Sequence, residues 1–224
     1  MKSFDAVLLA QSAERIAVAV GDNAEANVQA FSELTGIEVP IKMLKEQLLV
    51  TAGGVQFRAM RPPDMVEQVR NNISDIAIGS DELAMESGGT DVLGVSIPIL
   101  NKWAFSLLVR AEDESRMKDE LLRNRTGGRY IEAPTSLPNC LNQAASVLDL
   151  PILASSLQAT GKVEPLLRTK DRERKGWIFD IAADITASGD TAKKLELVIA
   201  KELFKIGPAL LVRRRDADAY QPAA

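Results

Sequence analysis

The chain has 224 residues, a mass of 24.3 kDa, a formal net charge of −4 and a pI near 5.1, with one cysteine and no histidine. This inventory excludes an intramolecular disulfide, a zinc site built on histidine and cysteine, and Ser-His or Cys-His nucleophile pairs. The acidic balance disfavours a nucleic-acid partner, and no apolar run approaches the roughly 18 residues that would span a membrane. Residues 1–11 carry one lysine, one aspartate and a short apolar patch, a poor secretory leader, so a cytoplasmic protein is expected. A chain of this length buries roughly 70% of its unfolded surface. Any chemistry must rest on carboxylates, lysines, arginines, hydroxyls and backbone amides, a set that suits phosphoryl-bearing substrates.

Residues 15–20, RIAVAV, are apolar and β-branched and predict a buried strand that ends at Gly21-Asp22-Asn23. A helix follows, because Ala24, Val28, Phe31 and Leu34 share one face, Asp22 or Asn23 can cap its start and Gly36 can end it. Residues 48–60 read as strand, Gly53-Gly54 turn and strand. Pro62 and Pro63 then open a helix with Met65, Val66 and Val69 inward, before a second buried strand at 73–78. The span 92–109 holds two strand segments around Pro98, and 111–128 is a charged surface excursion with a short helix. A second strand-turn-helix unit starts at 129–133, turns through Pro134-Thr135-Ser136 and continues as a helix from Pro138, with Leu141, Ala144, Ala145 and Leu148 inward. Strands at 152–157 and 177–185 flank a turn and short helix at 161–167; a last helix covers 191–205 and a last strand 209–212. Strands alternating with helices predict an α/β fold with mostly parallel sheets, and the charged gap near 111–128 suggests two lobes.

The segment most able to carry chemistry is 180–191, DIAADITASGDT, at a strand end that runs into a helix. Asp180 and Asp184 lie two strand repeats apart and are expected on one face. Ser188, Gly189 and Thr191 form a small-residue turn whose amides and hydroxyls would favour a phosphate, with a carboxylate nearby to accept hydrogen bonds from ribose hydroxyls. The same residues equally suit an ordinary strand-to-helix turn with a capping hydroxyl. Arg58 and Arg61 could clamp a phosphate or pair with surface carboxylates, and Lys162 is a further phosphate candidate. The run 168–175, RTKDRERK, reads as a solvated loop or as a reserve of positive charge. Cys140 lacks a partner base and is expected to pack inside; Trp103 and Trp177 read as core or lobe-interface residues.

Segment 180–191 resembles the ATP phosphoribosyltransferase pattern A-D-A-I-x-D-x-x-E-T-G-x-T-L. Asp180, Asp184, Gly189 and Thr191 match in spacing, Ser188 stands at the family threonine, and Ala187 replaces the family glutamate. Residues 58–79 resemble V-R-A-R-D-I-P-x-x-V-x-D-G-x-A-D-L-G-I-x-G at Arg61, Asp64, Asp75 and Gly79. Residues 129–139 resemble R-I-A-T-x-Y-P-N, and 161–165, GKVEP, resemble G-S-V-E-x-A-P with Glu164 at the glutamate. The four segments occur in family order. Where the family's first strand runs into P-K-G-R, this chain has Ala19-Val20-Gly21-Asp22.

The resemblance implies a type II periplasmic-binding-protein-like fold of two lobes, 1–104 plus 193–224 and 105–192, with an active site between them. It implies transfer of phosphoribose from phosphoribosyl pyrophosphate to a ring nitrogen of ATP, the first step of histidine biosynthesis, with Mg2+ neutralising the leaving pyrophosphate. Asp184 would be the catalytic carboxylate. Ser188, Gly189, Thr191, Asp180, Arg58, Arg61, Glu164 and Lys162 would bind substrate, and no protein metal ligand is assigned. A homodimer, or a hetero-oligomer with a histidyl-tRNA-synthetase-like regulatory subunit, is the implied assembly. Two alternatives stand beside this: a divergent phosphoribosyltransferase with another nitrogenous acceptor, and a non-catalytic two-lobed module that binds small anions.

Overall fold

The computed structural model describes residues 5–20, 24–98, 103–127, 130–156, 167, 178–186 and 190–219, with the backbone alone at 123–127, 190 and 191. The chain divides into two compact units, 1–102 with 207–224, and 103–206.

In the first unit, β1 (Arg15–Ala19) pairs in parallel with β3 (Val55–Met60) on one side and β4 (Ile76–Ser80) on the other. Antiparallel strands extend this centre: β2 (Leu49–Ala52) beyond β3, then β11 (Pro208–Arg213) beyond β4 and β5 (Val92–Ser96) beyond β11. Strand alternation sorts the side chains into two layers. Ile16, Val18, Phe57, Ile76, Ile78, Leu210 and Val212 face α1 (Ala6–Gln11), α2 (Ala24–Thr35) and α3 (Ile41–Gln47), meeting Leu9, Val28, Phe31 and Leu44. Ala17, Ala19, Ala77 and Leu211 face the other way and pack on Met65, Val66 and Val69 of α4 (Pro62–Arg70) and Ala84 of α5 (Glu82–Glu86).

Local signals set the boundaries. The Asp5 carboxylate caps α1 by accepting from the amides of Val7 and Leu8 at 3.0 and 3.1 Å. Gly53 and Gly54 both hold positive φ, 59° and 84°, which a two-residue turn joining β2 to β3 demands. Pro62 and Pro63 occupy the first turn of α4, where missing N–H groups cost nothing. The buried strand expected at 73–78 begins at Ile76, because Asp75 turns its carboxylate back onto β1: it accepts from the amides of Glu14 and Arg15 at 3.0 and 2.8 Å and from Arg15 Nη2 at 2.6 Å.

The second unit holds an antiparallel sheet in the order β10 (Leu197–Ile206), β6 (Trp103–Arg110), β9 (Ile181–Thr186). The parallel pair β7 (Ile131–Thr135) and β8 (Ile152–Ser156) runs beside β9, and α7 (Pro138–Val147) packs on β8 through a face that includes buried Cys140, Leu141, Ala144 and Ala145. The charged excursion becomes a 3-10 turn, Ala111–Asp113, and a full α6 (Glu114–Gly127).

The helix expected at 191–205 is not formed. Only α8 (Asp190–Lys194) is helical; Glu196 turns the chain at φ 55°, and β10 pairs along the whole of β6. Register shifts between Ile199 and Lys201 and between Glu202 and Phe204 each insert an extra residue. The insertions interrupt the two-residue alternation of the strand, and Leu197, Ala200 and Leu203, spaced by three, imitate a helical period in the sequence. For the same reason the return to the first unit falls at Gly207 rather than at 193.

Phe57 is fully buried in the larger layer. Phe57→Ala is expected to cost about 3–5 kcal/mol of unfolding free energy, read from the urea midpoint, with the m-value unchanged.

Candidate functional site

Each unit presents its own candidate surface. In the first unit, β1, β3 and β4 run parallel, so Ala19, Met60 and Ser80 end together at one edge of the sheet. Carboxyl edges of such sheets are where ligands bind. Arg58 lies two residues before Met60 on the same face of β3; it is half-buried, and its guanidinium has no partner among the described residues. Arg61 precedes α4 at 80% side-chain exposure and pairs with Asp64, Nε to Oδ2 at 2.9 Å.

Ser80, the last residue of β4, and Asp81 and Glu82 beyond it line the same edge. Asp81 is locked to the point where the chain re-enters this unit: its amide donates to the Gly207 carbonyl at 3.1 Å, and the Gly207 amide donates to Asp81 Oδ1 at 3.2 Å. The Ser96 hydroxyl adds a contact to Asp81 Oδ2 at 3.4 Å. Glu82 is 5% exposed. Burial pushes its carboxyl up to about 7, against the opposing 2.5 Å hydrogen bond that Oε1 accepts from the Ser80 hydroxyl. The sequence reading missed this pair, although Ser-Asp-Glu directly after the apolar run IAIG is a signal that polar groups gather at a strand end.

In the second unit, Asp184 lies on β9 opposite Ser106, half-buried, and its Oδ1 accepts from the Ile185 amide at 2.8 Å. Two residues on, the hydroxyls of Thr186 and Ser106 meet at 2.9 Å, both buried. β9 ends there and α8 begins at Asp190. Ser188, Gly189, Lys162 and Glu164 lie outside the described residues, and Thr191 is described by its backbone in α8 alone.

Asp180 does not continue β9 as expected. It precedes the strand and accepts from Arg110 Nη2 at 2.8 Å and from Arg116 Nη2 at 2.9 Å. Arg110, the last residue of β6, is 0% exposed. It donates through Nη1 to the carbonyls of Leu167 and Phe179, both at 2.8 Å, and through Nε to Asp113. With those carbonyls turned onto the guanidinium, the strand cannot start before Ile181. Burial pushes the Asp113 carboxyl up, but hydrogen bonds from Arg110 and Arg116 outweigh it and hold the group below the usual range. A lone arginine closing the apolar run WAFSLLV was the sequence signal for this network, and it was passed over. Among the described residues no group of three or more histidines, cysteines, aspartates or glutamates could hold a metal ion. Among them, too, no helix is long and apolar enough to cross a membrane.

No protein-family model matches the chain, and no curated protein matches it. In structure the chain is similar to the ATP phosphoribosyl transferase (HisG:HisZ) complex from Thermotoga maritima, with a TM-score of 0.59 at 18% identity over 91% of this chain and 89% of that one. It is also similar to the arginine-bound form of truncated ArgBP from T. maritima, with a TM-score of 0.51 at 14% identity over 94% and 92%. The chain thus has the type II periplasmic-binding-protein-like fold, mixed α/β with parallel strands at the centre of its larger sheet.

Two outcomes follow from the buried charges. Arg110→Ala leaves Asp113 and Asp180 without their buried partner and is expected to cost about 3–5 kcal/mol in a denaturant titration, whereas Arg116→Ala, at 49% exposure, costs about 1 kcal/mol or less. Glu82 is protonated more readily in the folded protein than in the unfolded chain. Its contribution is therefore full at low pH and is lost as pH rises from the ordinary carboxyl value through about 7. Between pH 5 and 8 wild-type stability should fall by about 2–3 kcal/mol from this group, and Glu82→Gln should flatten that decline in unfolding curves measured across the range.

Proposed function

We propose that this chain is a phosphoribosyltransferase of the ATP phosphoribosyltransferase kind. The observation that supports the reading is that motif-bearing segments, present in family order, fall on strand and helix elements: 58–79 on β3, α4 and β4, and 180–191 on β9 and the start of α8, with 187–189 outside the described residues. The likeness in fold to the T. maritima ATP phosphoribosyl transferase complex supports it. In this reading the amides and hydroxyls of Ser188, Gly189 and Thr191 hold the 5′-phosphate, and Asp184 faces the ribose. Lys162 and Glu164 contribute from the 161–165 turn. Arg58 and Arg61 offer positive charge to the anionic substrates, and the half-buried Arg58, which has no partner among the described residues, is the stronger of the two. Asp180 is held by two arginines and acts by fixing the entry to β9 rather than by touching substrate.

The chemistry needs no histidine. A ring nitrogen of the acceptor forms a bond to C1′ of the ribose while the C1′–O bond to pyrophosphate breaks, the leaving group departing with the electron pair. Positive charge that develops on the sugar is stabilised by Asp184, and the backbone amides of the turn fix the phosphate so that the reacting atoms stay aligned. Mg2+ enters with the pyrophosphate group of the donor as part of the substrate. A histidyl-tRNA-synthetase-like subunit is the proposed partner, in keeping with the neighbour being a two-component complex; a homodimer is the simpler assembly. The site is proposed to act in the cytoplasm.

A second reading, a binding module that captures a small anion without chemistry, is favoured by the engagement of Asp180, and the likeness in fold to ArgBP is in keeping with a binding module of this kind. Pyrophosphate release and calorimetry with phosphoribosyl pyrophosphate, Mg2+ and a purine nucleotide panel separate the two, with and without the candidate partner subunit. Release with ATP is the expected result. Release only with another acceptor points to a divergent transferase, and saturable binding without release to the binding module. Asp184→Asn should lower turnover by about tenfold or more while circular dichroism stays unchanged; unaltered kinetics would remove this carboxylate from the mechanism.

A further inference from the structure

The opposite edge of the first unit's sheet carries a feature that the transferase reading leaves unused. There β11 ends at Arg213 and passes directly into α9 (Arg214–Ala219), so that three consecutive arginines emerge beside the start of β4 and β5. A cavity of about 470 Å3 opens at this point, lined by Arg70, Arg213, Arg214 and Arg215 against Asp91 and Asp218. Four of the chain's 27 basic residues gather here.

The four arginines differ in what they have left to give. Arg213 is committed: it donates to the Val69 carbonyl at 3.1 Å and to Asn72 Oδ1, and it pairs with Asp216. Arg70 is committed to Asp91 and Glu67. Arg214 is held through Nε, which donates to the Thr90 carbonyl at 2.6 Å, and through its amide, which donates to the Asp91 carbonyl at 2.8 Å. Arg215, at 72% exposure, is paired through Nε with Asp216 Oδ1 at 3.3 Å, its one partner among the described residues. Arg214 is thus anchored at the inner nitrogen and Arg215 lies in ion-pair contact through its own, while their outer Nη pairs have no partner among the described residues. An outer pair held in place is the edge that grips an oxyanion with two parallel hydrogen bonds. Arg214 and Arg215 are adjacent like charges, and a bound anion relieves their mutual repulsion.

We propose that this arginine-lined cavity is a binding site for a small, multiply charged oxyanion, phosphate or carboxylate, gripped by Arg214 and Arg215. It is separate from the carboxyl edge: Val212 pairs with Ile76 at the start of β4 and Pro208 with Ser80 at its end, so the two edges stand about 13 Å apart along the strand. Helix α4 joins them, beginning beside Arg61 and ending at Arg70, which gives the cavity a rigid link to the other edge.

The test is an NMR titration of the arginine Nε–Hε resonances with inorganic phosphate, malonate and chloride. The expected result is a saturable shift of the Arg214 and Arg215 signals by phosphate or malonate at a midpoint about tenfold or more below that of chloride. A response to phosphate alone identifies a phosphate-bearing ligand, and a response to malonate as well identifies a site for either oxyanion. In Arg214→Ala the Arg215 midpoint should rise about tenfold, and Arg214→Lys, which keeps the charge but not the fork, should fall between. A midpoint no lower than chloride's, shifts confined to other residues, or an Arg214→Ala protein that binds as well as wild type would overturn the proposal. None of these readouts depends on turnover, so the result stands or falls apart from the transferase reading.

Discussion

The first unit depends on one constraint: β1 must bury both of its faces at once. Its neighbours β3 and β4 run parallel to it, and helices are needed on either side to cover what the strands expose. The division of labour between the faces is unequal. Isoleucine, valine and phenylalanine fill the layer beneath α1, α2 and α3, whereas alanines dominate the layer beneath α4 and so admit the broader Met65, Val66 and Val69. Once this packing is fixed, the strand ends have no freedom. Polar groups must emerge at the two edges, and the two edges take on different chemistry.

At the carboxyl edge, Ser80, Asp81 and Glu82 follow β4 and are bound into the fold by Gly207 and by each other. At the amino edge, the carboxylates of Asp75 and Asp91 are paired with Arg15 and Arg70. The second unit solves the same problem differently, with one buried arginine. Arg110 gathers the end of β6, the 3-10 turn after it and the approach to β9 around a single guanidinium. A buried cation needs such a set of acceptors to offset its lost hydration, and having them it dictates where β9 starts. The position of Asp184 along β9 therefore follows from a residue on another strand.

A chain without histidine restricts the chemistry to charge placement and hydrogen bonding. Transfer of a sugar phosphate fits that restriction, since the donor brings its own leaving group and the protein need only hold, orient and stabilise. Simple capture of an anion fits it as well, and the two are distinguished by whether a carboxylate faces the sugar. Asp180 is occupied by two arginines, which concentrates that question on Asp184.

Sequence by itself determined the two-lobed α/β class, the Gly53-Gly54 hairpin, the proline-led α4, the buried strand β1 and the interior place of Cys140, because each rests on local periodicity or on a backbone preference of one or two residues. It also placed Asp184 within a strand. Tertiary structure alone decided the rest. Residues 197–206 are a strand because β6 offers a full-length partner and two bulges absorb a spacing that reads as helical. Asp180 is a structural ligand because a guanidinium from β6 reaches it across 70 residues of sequence. The elevated proton affinity of Glu82 and the convergence of Arg70 with Arg213, Arg214 and Arg215 likewise belong to burial and to long-range juxtaposition, and no local pattern encodes either.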